Sequence, residues 1–523
     1  MNDGIATISL AGLVKPPARI TDQIVIGKDV LELLAGAMYA DPLTVYREYV
    51  QNAADAIDEA RAESLAAPPG PDVSITFDHA ERTVRIRDNG IGVSKEDFVT
   101  RLSAVGASGK RGTSLRGFRG VGRFSGLGYC QELIFRSRAR AADPVKELRW
   151  NGRVLREKLR DASFTGNLQD LIREIATVTT AQNASTYPEH FFEVEMRKVV
   201  RIKNDQLMNE AEVRRYLGQV APVPFAPGFQ FGPAIREWLT ARGTGQPIQI
   251  EMSDGLGPVY HRATGEIVVP KVGTTSFERA EFLELKNTAG ELLAIGWILD
   301  HGYKGAIPRS SHLAGIRLRM RDVQIGDELA LAPLFAEPRF ATWVVGDLHV
   351  VHPKIVPNGR RDDFEYSAAY GELQDELRAL TKRLGQTIRV RSNDRLRDRR
   401  IRLALLYANG WLEIAHQRTL HPTIKRVAVE QADAQLKLAE KEGLKIALPD
   451  DAEEAVRAAR TDVKRLTTYF GKKTGPGRPP IAESKGARAA VAAIFSSTTQ
   501  IKKVIPLAER VLQAMEDTTV KKS

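Results

Sequence analysis

Residues 47–61 (REYVQNAADAIDEAR) most restrict the choice of fold, because helical spacing places polar side chains on one face and apolar side chains on the other. Glu48, Asn52 and Asp55 fall at i, i+4 and i+7 and form a polar stripe. The opposite face is apolar and comprises Val50, Ala53, Ala54 and Ile57. We expect that face to pack on a β-sheet. A carboxylate one turn from an asparagine suits a site in which the carboxylate orients a water molecule and the asparagine oxygen binds a metal ion. An exposed polar helix face shows the same pattern and is the alternative.

Two strands and a glycine turn follow this helix. Alternation of apolar and polar residues predicts strands at Val73–Phe77 and Thr83–Asp88. Asp88 ends the second strand, and Gly90 and Gly92 then keep the backbone free of side chains. A carboxylate placed there can accept a hydrogen bond from an exocyclic amine, beside a space for a flat ring. A tight turn capped by the aspartate is the alternative.

A third motif is rich in glycine. Residues 116–126 (RGFRGVGRFSG) contain G-x-x-G-x-G at Gly117, Gly120 and Gly122. Glycines that lead into a helix present backbone N–H groups to phosphates, but a lone pattern of this kind is a weak signal. The nearby residues 106–113 (GASGKRGT) are not a P-loop, because an arginine occupies the Ser/Thr position.

In this order and at this spacing, the three motifs resemble the nucleotide site of the GHKL superfamily, whose members share the Bergerat ATP-binding fold. The resemblance is sharpest to the HtpG-type heat shock protein 90 chaperones and covers about Ile26–Arg138. It implies that Glu48 is the general base that orients the attacking water. It also implies that Asn52 is a Mg²⁺ ligand and that Asp88 binds the adenine amine.

The same resemblance implies further ATP-binding residues. Asp55 would lie near the nucleotide and Gly92 against the adenine. The segment that would cradle the phosphates comprises Gly117, Gly120, Val121 and Gly122. Residues 101–115 correspond to a mobile lid, in which Ser108 and Lys110 are expected to contact the nucleotide. A solvated lid lysine is the alternative for Lys110.

Some positions depart from the chaperone pattern. Arg101 and Ala107 stand where the chaperones usually have Asn and Lys in the lid. Arg123 replaces an aromatic residue after the third glycine, and the GFRG run is similar to that of MutL-type relatives. The usual Gly-Thr pair is missing before the strand predicted at residues 192–202, where Thr186 is a poor match. These departures bear on the movement of the lid and on the rate of ATP hydrolysis rather than on the ATP pocket.

Residues 314–364 resemble the HtpG-type middle domain. An alternation of apolar residues with arginines predicts a strand with one buried face, at Ile316, Leu318 and Met320. In the family, a later loop carries an arginine to the γ-phosphate. Counting from Asn358, the matching arginine is Arg361. A shift of one residue in this count would assign the role to Arg360. Such a cation can stabilise charge during phosphoryl transfer, and a structural Arg–Asp pair on a turn is the alternative.

The predicted fold class is α+β. The predicted parts are a Bergerat ATPase domain that forms an α/β sandwich (1–204), an α/β middle domain (205–390), a helical C-terminal region (391–470), a basic Pro/Gly linker (471–484) and a terminal helix with a tail (485–523). Helical patterns at residues 402–418, 424–443 and 452–470 could pair with a second subunit. The linker resembles an AT-hook at Gly475–Pro480, and a flexible linker is the alternative.

The charge distribution points to one part of the chain as the place where a polyanion would bind. The formal net charge is +11, and residues 391–523 contain 26 Lys and Arg against 16 Asp and Glu. Most of the excess therefore lies in the C-terminal quarter, where solvated basic helix faces are the alternative to a binding surface. The single cysteine, Cys130, excludes an intrachain disulfide. No membrane span or secretory signal is visible, which predicts a cytoplasmic protein.

These patterns favour an ATP-dependent HtpG-like chaperone or conformational clamp that uses ATP and Mg²⁺. We expect it to couple lid and domain closure to a protein client, to form a homodimer and to have no membrane partner. One rival is a DNA-associated clamp ATPase of the MORC or MutL kind, which would explain the basic tail and the GFRG run. A second rival is a nucleotide-sensing scaffold with little hydrolysis, which the lid departures allow.

Overall fold

The computed structural model describes residues 41–104, 122–161, 164, 167–270, 272–446, 450–472 and 489. The chain divides into two compact units. The first unit comprises residues up to 381 without residues 302–304, and the second comprises residues 302–304 and those from 382 onward. The predicted α+β class with a helical C-terminal region is confirmed.

A seven-stranded sheet forms the central layer of the first domain. Its strands are β1 (Val73–Asp78), β2 (Thr83–Asp88), β3 (Glu132–Arg138), β4 (Lys146–Asn151), β5 (Ala176–Thr180), β6 (Phe191–Arg197) and β7 (Ile250–Met252). They lie in the order β5-β4-β3-β6-β2-β1-β7, and only β1 and β7 are parallel neighbours. Because β7 and core residues up to Val259 lie beyond the expected boundary at residue 204, we propose that the domain ends near residue 260.

Helices pack against the apolar face of this sheet. They are α1 (Thr44–Ala62), α2 (Phe98–Ser103), a 3₁₀ helix (Gly122–Gly128), α3 (Gly152–Arg160), α4 (Leu168–Ile175) and α5 (Glu210–Val220). Strand residues of alternating position, such as Val84 and Ile86 on β2 and Val194 and Met196 on β6, are buried in the shared core. This alternation fixes the register, since a slip of one residue would exchange the two faces.

The other face of the sheet carries a ladder of charged side chains. Glu193 and Glu195 on β6 are buried between Arg85 and Arg87 on β2 and Arg136 on β3. Arg136 donates from Nη1 to Glu193 Oε1 at 2.7 Å and also to Glu195. Arg87 donates from Nε to Glu193 Oε2 at 2.7 Å. The buried carboxylates are therefore paired and hydrogen-bonded, as burial of charge requires.

A second sheet follows in the same compact unit, and we propose that it belongs to a second domain. Its elements are α6 (Gly232–Thr240), β8 (Glu266–Val269), β9 (Gly273–Ser276), β10 (Arg279–Lys286), β11 (Leu292–Asp300), β12 (Gly315–Met320), β13 (Val323–Ile325) and β14 (Val345–Val350). Five of the strands form a mixed sheet in the order β10-β11-β14-β12-β13, with β12 and β14 parallel. Strands β8 and β9 form a separate hairpin.

Further 3₁₀ helices of the first unit lie at Ala184–Thr186, Gln206–Met208, Arg309–Ser311, Ala332–Leu334 and Pro338–Trp343.

Strand β12 differs from its prediction, because both of its faces are buried. Arg317 and Arg319 alternate with the apolar residues as expected, but their side chains are also enclosed. Arg319 Nε donates to Asp347 Oδ2 on β14 at 2.8 Å, and Arg317 Nη2 donates to Gln219 Oε1 on α5 at 3.1 Å. Ion pairing and hydrogen bonding thus allow the arginine face to be buried.

The second compact unit is helical. Helix α7 (Ala368–His416) begins in the first unit and continues into the second, and α8 (Pro422–Gly443) and α9 (Asp450–Lys472) follow it. The helix predicted at residues 402–418 is the last part of α7 rather than a separate element. Buried Leu, Ile, Val and Ala side chains of the three helices form one core. Of the helices described, none is both long and apolar enough to cross a membrane.

Candidate active site

Helix α1 places the predicted polar stripe at the edge of the first domain's core. The predicted apolar residues Val50, Ala53, Ala54 and Ile57 are buried in that core. On the stripe, Glu48 and Asp55 are buried and Asn52 is half-buried. Two carboxylates and an amide therefore share one helix face in a partly enclosed place, which is the arrangement that the sequence predicts.

Two arginines lie beside the Glu48 carboxylate. Arg47 Nη2 donates to Glu48 Oε1 at 3.2 Å, and Arg361 Nε lies 3.8 Å from the same oxygen. Arg47 Nη2 is also 3.3 Å from the carbonyl oxygen of Arg360. Arg47 therefore links α1 of the first domain to the arginine-bearing loop of the second domain, within one compact unit. The sequence motif includes Arg47, but we did not expect this role from the sequence.

Gly122, the first residue of the 3₁₀ helix, packs against Glu48 of α1. A Cβ atom built on Gly122 would lie 2.3 Å from Glu48 Oε2, so a side chain at this position would displace the carboxylate from its observed place. Gly122 opens the 3₁₀ helix that follows the glycine-rich segment. Of the other residues predicted to contact the phosphates or the lid side of the nucleotide, Ser108, Lys110, Gly117, Gly120 and Val121 lie outside the described residues.

Tyr49 holds this 3₁₀ helix on α1. Its hydroxyl donates to the carbonyl oxygen of Arg123 at 3.1 Å and accepts from the backbone N–H of Gly126 at 3.0 Å. The Arg123 side chain is mostly enclosed, and burial together with the nearby Arg101 lowers the pKa of Arg123 to about 10. The departure at position 123 therefore adds a second cation, besides Arg101, near the start of the 3₁₀ helix.

The Asp88 turn is built by close backbone contacts. Asp88 is buried at the end of β2, and its Oδ1 accepts from the N–H of Gly90 at 3.0 Å. A Cβ on Gly90 would lie 2.6 Å from the backbone of Ala56 on α1. Gly92 has φ +71°, and its Cβ would lie 2.1 Å from the carbonyl oxygen of Arg138. The two glycines thus let the turn pack tightly between α1 and β3.

His190 supports this turn and was missed in the sequence analysis. Its Nδ1 lies 2.8 Å from the carbonyl oxygen of Gly90, and its Nε2 lies 3.0 Å from the carbonyl oxygen of Ala66. His190 precedes β6, in the region where the Gly-Thr pair is missing. A single histidine before a strand carries no sequence signal for such a contact.

The two candidate arginines of the loop have different surroundings. Arg361 is 8% exposed and points its Nε to Glu48, whereas the Arg360 side chain is 67% exposed and pairs with Asp362 at 3.3 Å. Only Arg361 is therefore placed beside the α1 stripe. Arg361 has φ +57°, and its carbonyl oxygen accepts from the N–H of Gly326 at 2.9 Å.

Comparison with known proteins gives a family match for the part of the chain that contains helix α1 and strand β2. Residues 41–165 match the family described as "Histidine kinase-, DNA gyrase B-, and HSP90-like ATPase". The chain carries a GHKL-type ATPase domain. This GHKL domain contains Glu48, Asn52, Asp55 and Asp88, so the predicted superfamily is confirmed.

A curated relative extends the comparison. The chain is 30% identical to a chaperone protein HtpG of Burkholderia ambifaria in an alignment 187 positions long, and the alignment covers 32% of this chain. The matched part spans 27% of that relative's length. The similarity therefore supports a GHKL domain close to the HtpG type and an ATPase of that kind.

Proposed function

We propose that this protein hydrolyses ATP with Mg²⁺ and that its second domain completes the site. The observation that carries the proposal is the approach of Arg361 to Glu48 at 3.8 Å, from a loop that follows the second sheet of the same compact unit. A buried cation beside the proposed base suits a reaction in which negative charge develops on a phosphate. The enclosed stripe on α1 supports the same assignment.

The side chains on the stripe fit an Mg–nucleotide complex. Mg²⁺ prefers oxygen ligands and is commonly held by one or two protein groups together with substrate phosphates. Asn52 offers an amide oxygen one helical turn from Glu48, and the missing side chain of Gly122 leaves room for the Glu48 carboxylate. In the part of the chain that the structure describes, no three His, Cys, Asp or Glu side chains form a metal cluster. Asn52 is the proposed protein ligand because of its amide oxygen on this helix face, and the bound Mg²⁺ would neutralise phosphate charge.

Each residue has a distinct proposed task. Glu48 orients water and accepts its proton, and the Arg361 guanidinium stabilises the charge on the transferred phosphoryl group. Asp88 accepts a hydrogen bond from the adenine amine. Asp55, Gly92 and Gly122 are the proposed neighbours of the nucleotide. For the residues outside the described ranges, contact with the nucleotide stays a prediction: Ser108, Lys110, Gly117, Gly120 and Val121.

The cycle would act on another protein. Closure of the second domain on the nucleotide brings Arg361 to its position, and the same movement can be transmitted to a client. The similarity to the HtpG chaperone of Burkholderia ambifaria supports a chaperone or clamp role, a homodimer and a protein client. We retain a cytoplasmic location as part of this proposal.

Release of phosphate from ATP tests the proposal. We expect Mg-dependent hydrolysis by the wild-type chain and its loss in Glu48→Ala, with ATP affinity nearly unchanged, because the base acts on water in the transition state. Glu63→Ala, at an exposed position just after α1, is the matched control and should retain activity. Equal activity of Glu48→Ala and wild type would overturn the proposal.

The concentration of basic residues favours one alternative, a DNA-associated clamp. Helix α7 contains a run with seven arginines between residues 389 and 402, against Asp394 and Asp398. Such a charged helix can attract a polyanion through counterion release. Stimulation of hydrolysis by duplex DNA at a stated salt concentration would favour this clamp, and indifference to DNA would favour the chaperone.

A further inference from the structure

The loop that carries Arg361 is a closed hairpin-like turn. Pro357 and Phe364 form an isolated β-bridge, and the N–H of Glu365 donates to the carbonyl oxygen of Val356 at 2.7 Å. Within the turn, the N–H of Asn358 donates to the carbonyl oxygen of Asp363 at 2.9 Å. The turn therefore moves as one piece, and the position of its closing residues determines where its tip lies.

Arg361 lies at the tip in a left-handed conformation. Its φ of +57° is one that side-chain-bearing residues adopt infrequently, so contacts around the turn must maintain it. Its N–H donates to the carbonyl oxygen of Asn358 at 3.2 Å, and its own carbonyl oxygen accepts from the N–H of Gly326. The Asn358 side chain also donates from Nδ2 to Asp362 Oδ1 at 2.6 Å.

The base of the turn is hydrogen-bonded to the first turn of helix α7. The Tyr370 hydroxyl donates to Asp363 Oδ1, and the same oxygen accepts from the N–H of Phe364 at 2.8 Å. The Tyr370 ring also packs on Phe364, with centroids 5.4 Å apart. Burial and the bond to Asp363 raise the pKa of Tyr370 to about 12, so the hydroxyl keeps its proton at neutral pH.

Tyr370 is itself held at the start of α7. Its backbone N–H donates to Ser367 Oγ at 3.2 Å, which satisfies one of the free N–H groups at a helix start. Helix α7 then continues without a break to His416. A shift of this helix end would consequently move Tyr370 and, through Asp363, the turn that carries Arg361.

We propose that the Tyr370–Asp363 hydrogen bond positions Arg361 against the nucleotide site and thereby makes hydrolysis depend on the placement of helix α7. Tyr370 and Asp363 are positioning residues, since they act through Arg361 rather than on the nucleotide. This inference rests on the proposed ATPase function and on the proposed role of Arg361.

The test is Tyr370→Phe, which removes one hydroxyl and keeps the ring on Phe364. Loss of the hydroxyl, which bonds to Asp363 and also to Gln374, predicts kcat lower by about 3- to 10-fold with an unchanged KM for ATP, because Arg361 is needed in the transition state. Tyr366→Phe is the matched control, since Tyr366 is 93% exposed on the same segment, and it should behave as wild type. Asp363→Asn, which keeps an accepting oxygen, should retain most of the activity that Asp363→Ala loses.

A double-mutant cycle separates positioning from a general structural effect. In the Arg361→Ala background, Tyr370→Phe should cause no further loss of kcat, because the residue through which it acts is absent. An additional loss of the same size in that background would overturn the proposal. Equal kcat values for Tyr370→Phe, Tyr366→Phe and wild type, with Arg361→Ala impaired, would overturn it while leaving the proposed function intact. A fully active Arg361→Ala would instead show that the proposed role of Arg361 is wrong, and this inference with it.

Discussion

Asp88 and Glu48 occupy different parts of the site, so their substitutions should have different effects. Asp88 is buried at the end of β2, and its carboxylate is the proposed acceptor for the adenine amine. We expect Asp88→Asn to weaken ATP binding by at least about 10-fold, because an amide replaces one accepting oxygen by a donor and the charge-assisted hydrogen bond is lost. ATP affinity measured by calorimetry checks this.

The control for that substitution is Asp375→Asn, because the Asp375 side chain is 77% exposed on α7. It should leave ATP affinity unchanged. Equal losses of ATP affinity in Asp88→Asn and Glu48→Ala would show that the two carboxylates do not have separate tasks.

Gly122 provides a second prediction at the residue scale. In Gly122→Ala, the new methyl group would lie 2.3 Å from Glu48 Oε2 and would push the carboxylate out of place. We expect the rate of hydrolysis to fall by about 100-fold or more, since small misplacements of a catalytic group are costly. Gly228→Ala is the control, because nothing lies within 4 Å of the added atom. An active Gly122→Ala would mean that the proposed base does not need its observed position.

The sequence predicts the residues of α1 and β2 better than those around them. Glu48 and Asp88 follow from local motifs whose spacing determines a helix face and a strand end. The choice between Arg360 and Arg361 depends instead on which side chain is buried, and adjacent residues of a turn cannot be distinguished by spacing. His190 was missed because its contact with Gly90 joins segments 100 residues apart in the chain.

At the scale of elements, the charged ladder across the first sheet should make stability depend on pH. Burial would raise the pKa of Glu195, but hydrogen bonds from Arg136 and Arg197 outweigh it and lower the pKa to about 2. Because the folded-state pKa lies below the ordinary value of 4.5, this contribution is present above that value and is lost between about pH 4.5 and pH 2. The thermal unfolding midpoint, recorded across this range, should decrease as the pH is lowered.

Arg136→Met tests the source of this effect. Removing the cation takes one partner from each of Glu193 and Glu195, which keep Arg87 and Arg197, and we expect it to cost about 1–3 kcal/mol of stability at neutral pH. Protonation removes the charge of the buried carboxylates, so the difference from wild type should shrink as the pH is lowered. Arg153→Met, at a side chain that is 68% exposed, should change the midpoint little. A constant difference at all pH values would contradict this explanation.

Secondary structure was predictable where periodicity alone determines burial. Strand β2 has the predicted limits, and β1 extends one residue beyond its predicted end. The arginine face of β12 was expected to be exposed, and its burial depends on Asp347 from another strand. The continuity of α7 was likewise not visible, because its middle is an arginine-rich run without an apolar repeat.

At the scale of the whole molecule, all proposed site residues precede residue 362, whereas much of the excess charge follows α9. Residues 471–523 contain ten Lys and Arg against four Asp and Glu. We expect a chain that ends at residue 470 to keep its basal ATPase activity. If a nucleic acid is a partner, the salt dependence of binding should become flatter, since fewer counterions are released.

The two measurements on the shortened chain have separate meanings. An unchanged salt dependence would exclude residues 471–523 from DNA binding. A loss of basal ATPase activity would contradict the prediction and would indicate that these residues support assembly of the active form.

The central claim is that a residue of the second domain completes a nucleotide site built on α1 and β2. The most direct measurement is the rate of phosphate release by Arg361→Ala in a single turnover with saturating Mg–ATP, with Arg360→Ala as the matched control. Arg361→Ala should be slower by about 10³-fold with nearly unchanged ATP affinity, whereas Arg360→Ala should remain close to wild type. A wild-type rate for Arg361→Ala, or a larger loss in Arg360→Ala, would contradict the claim.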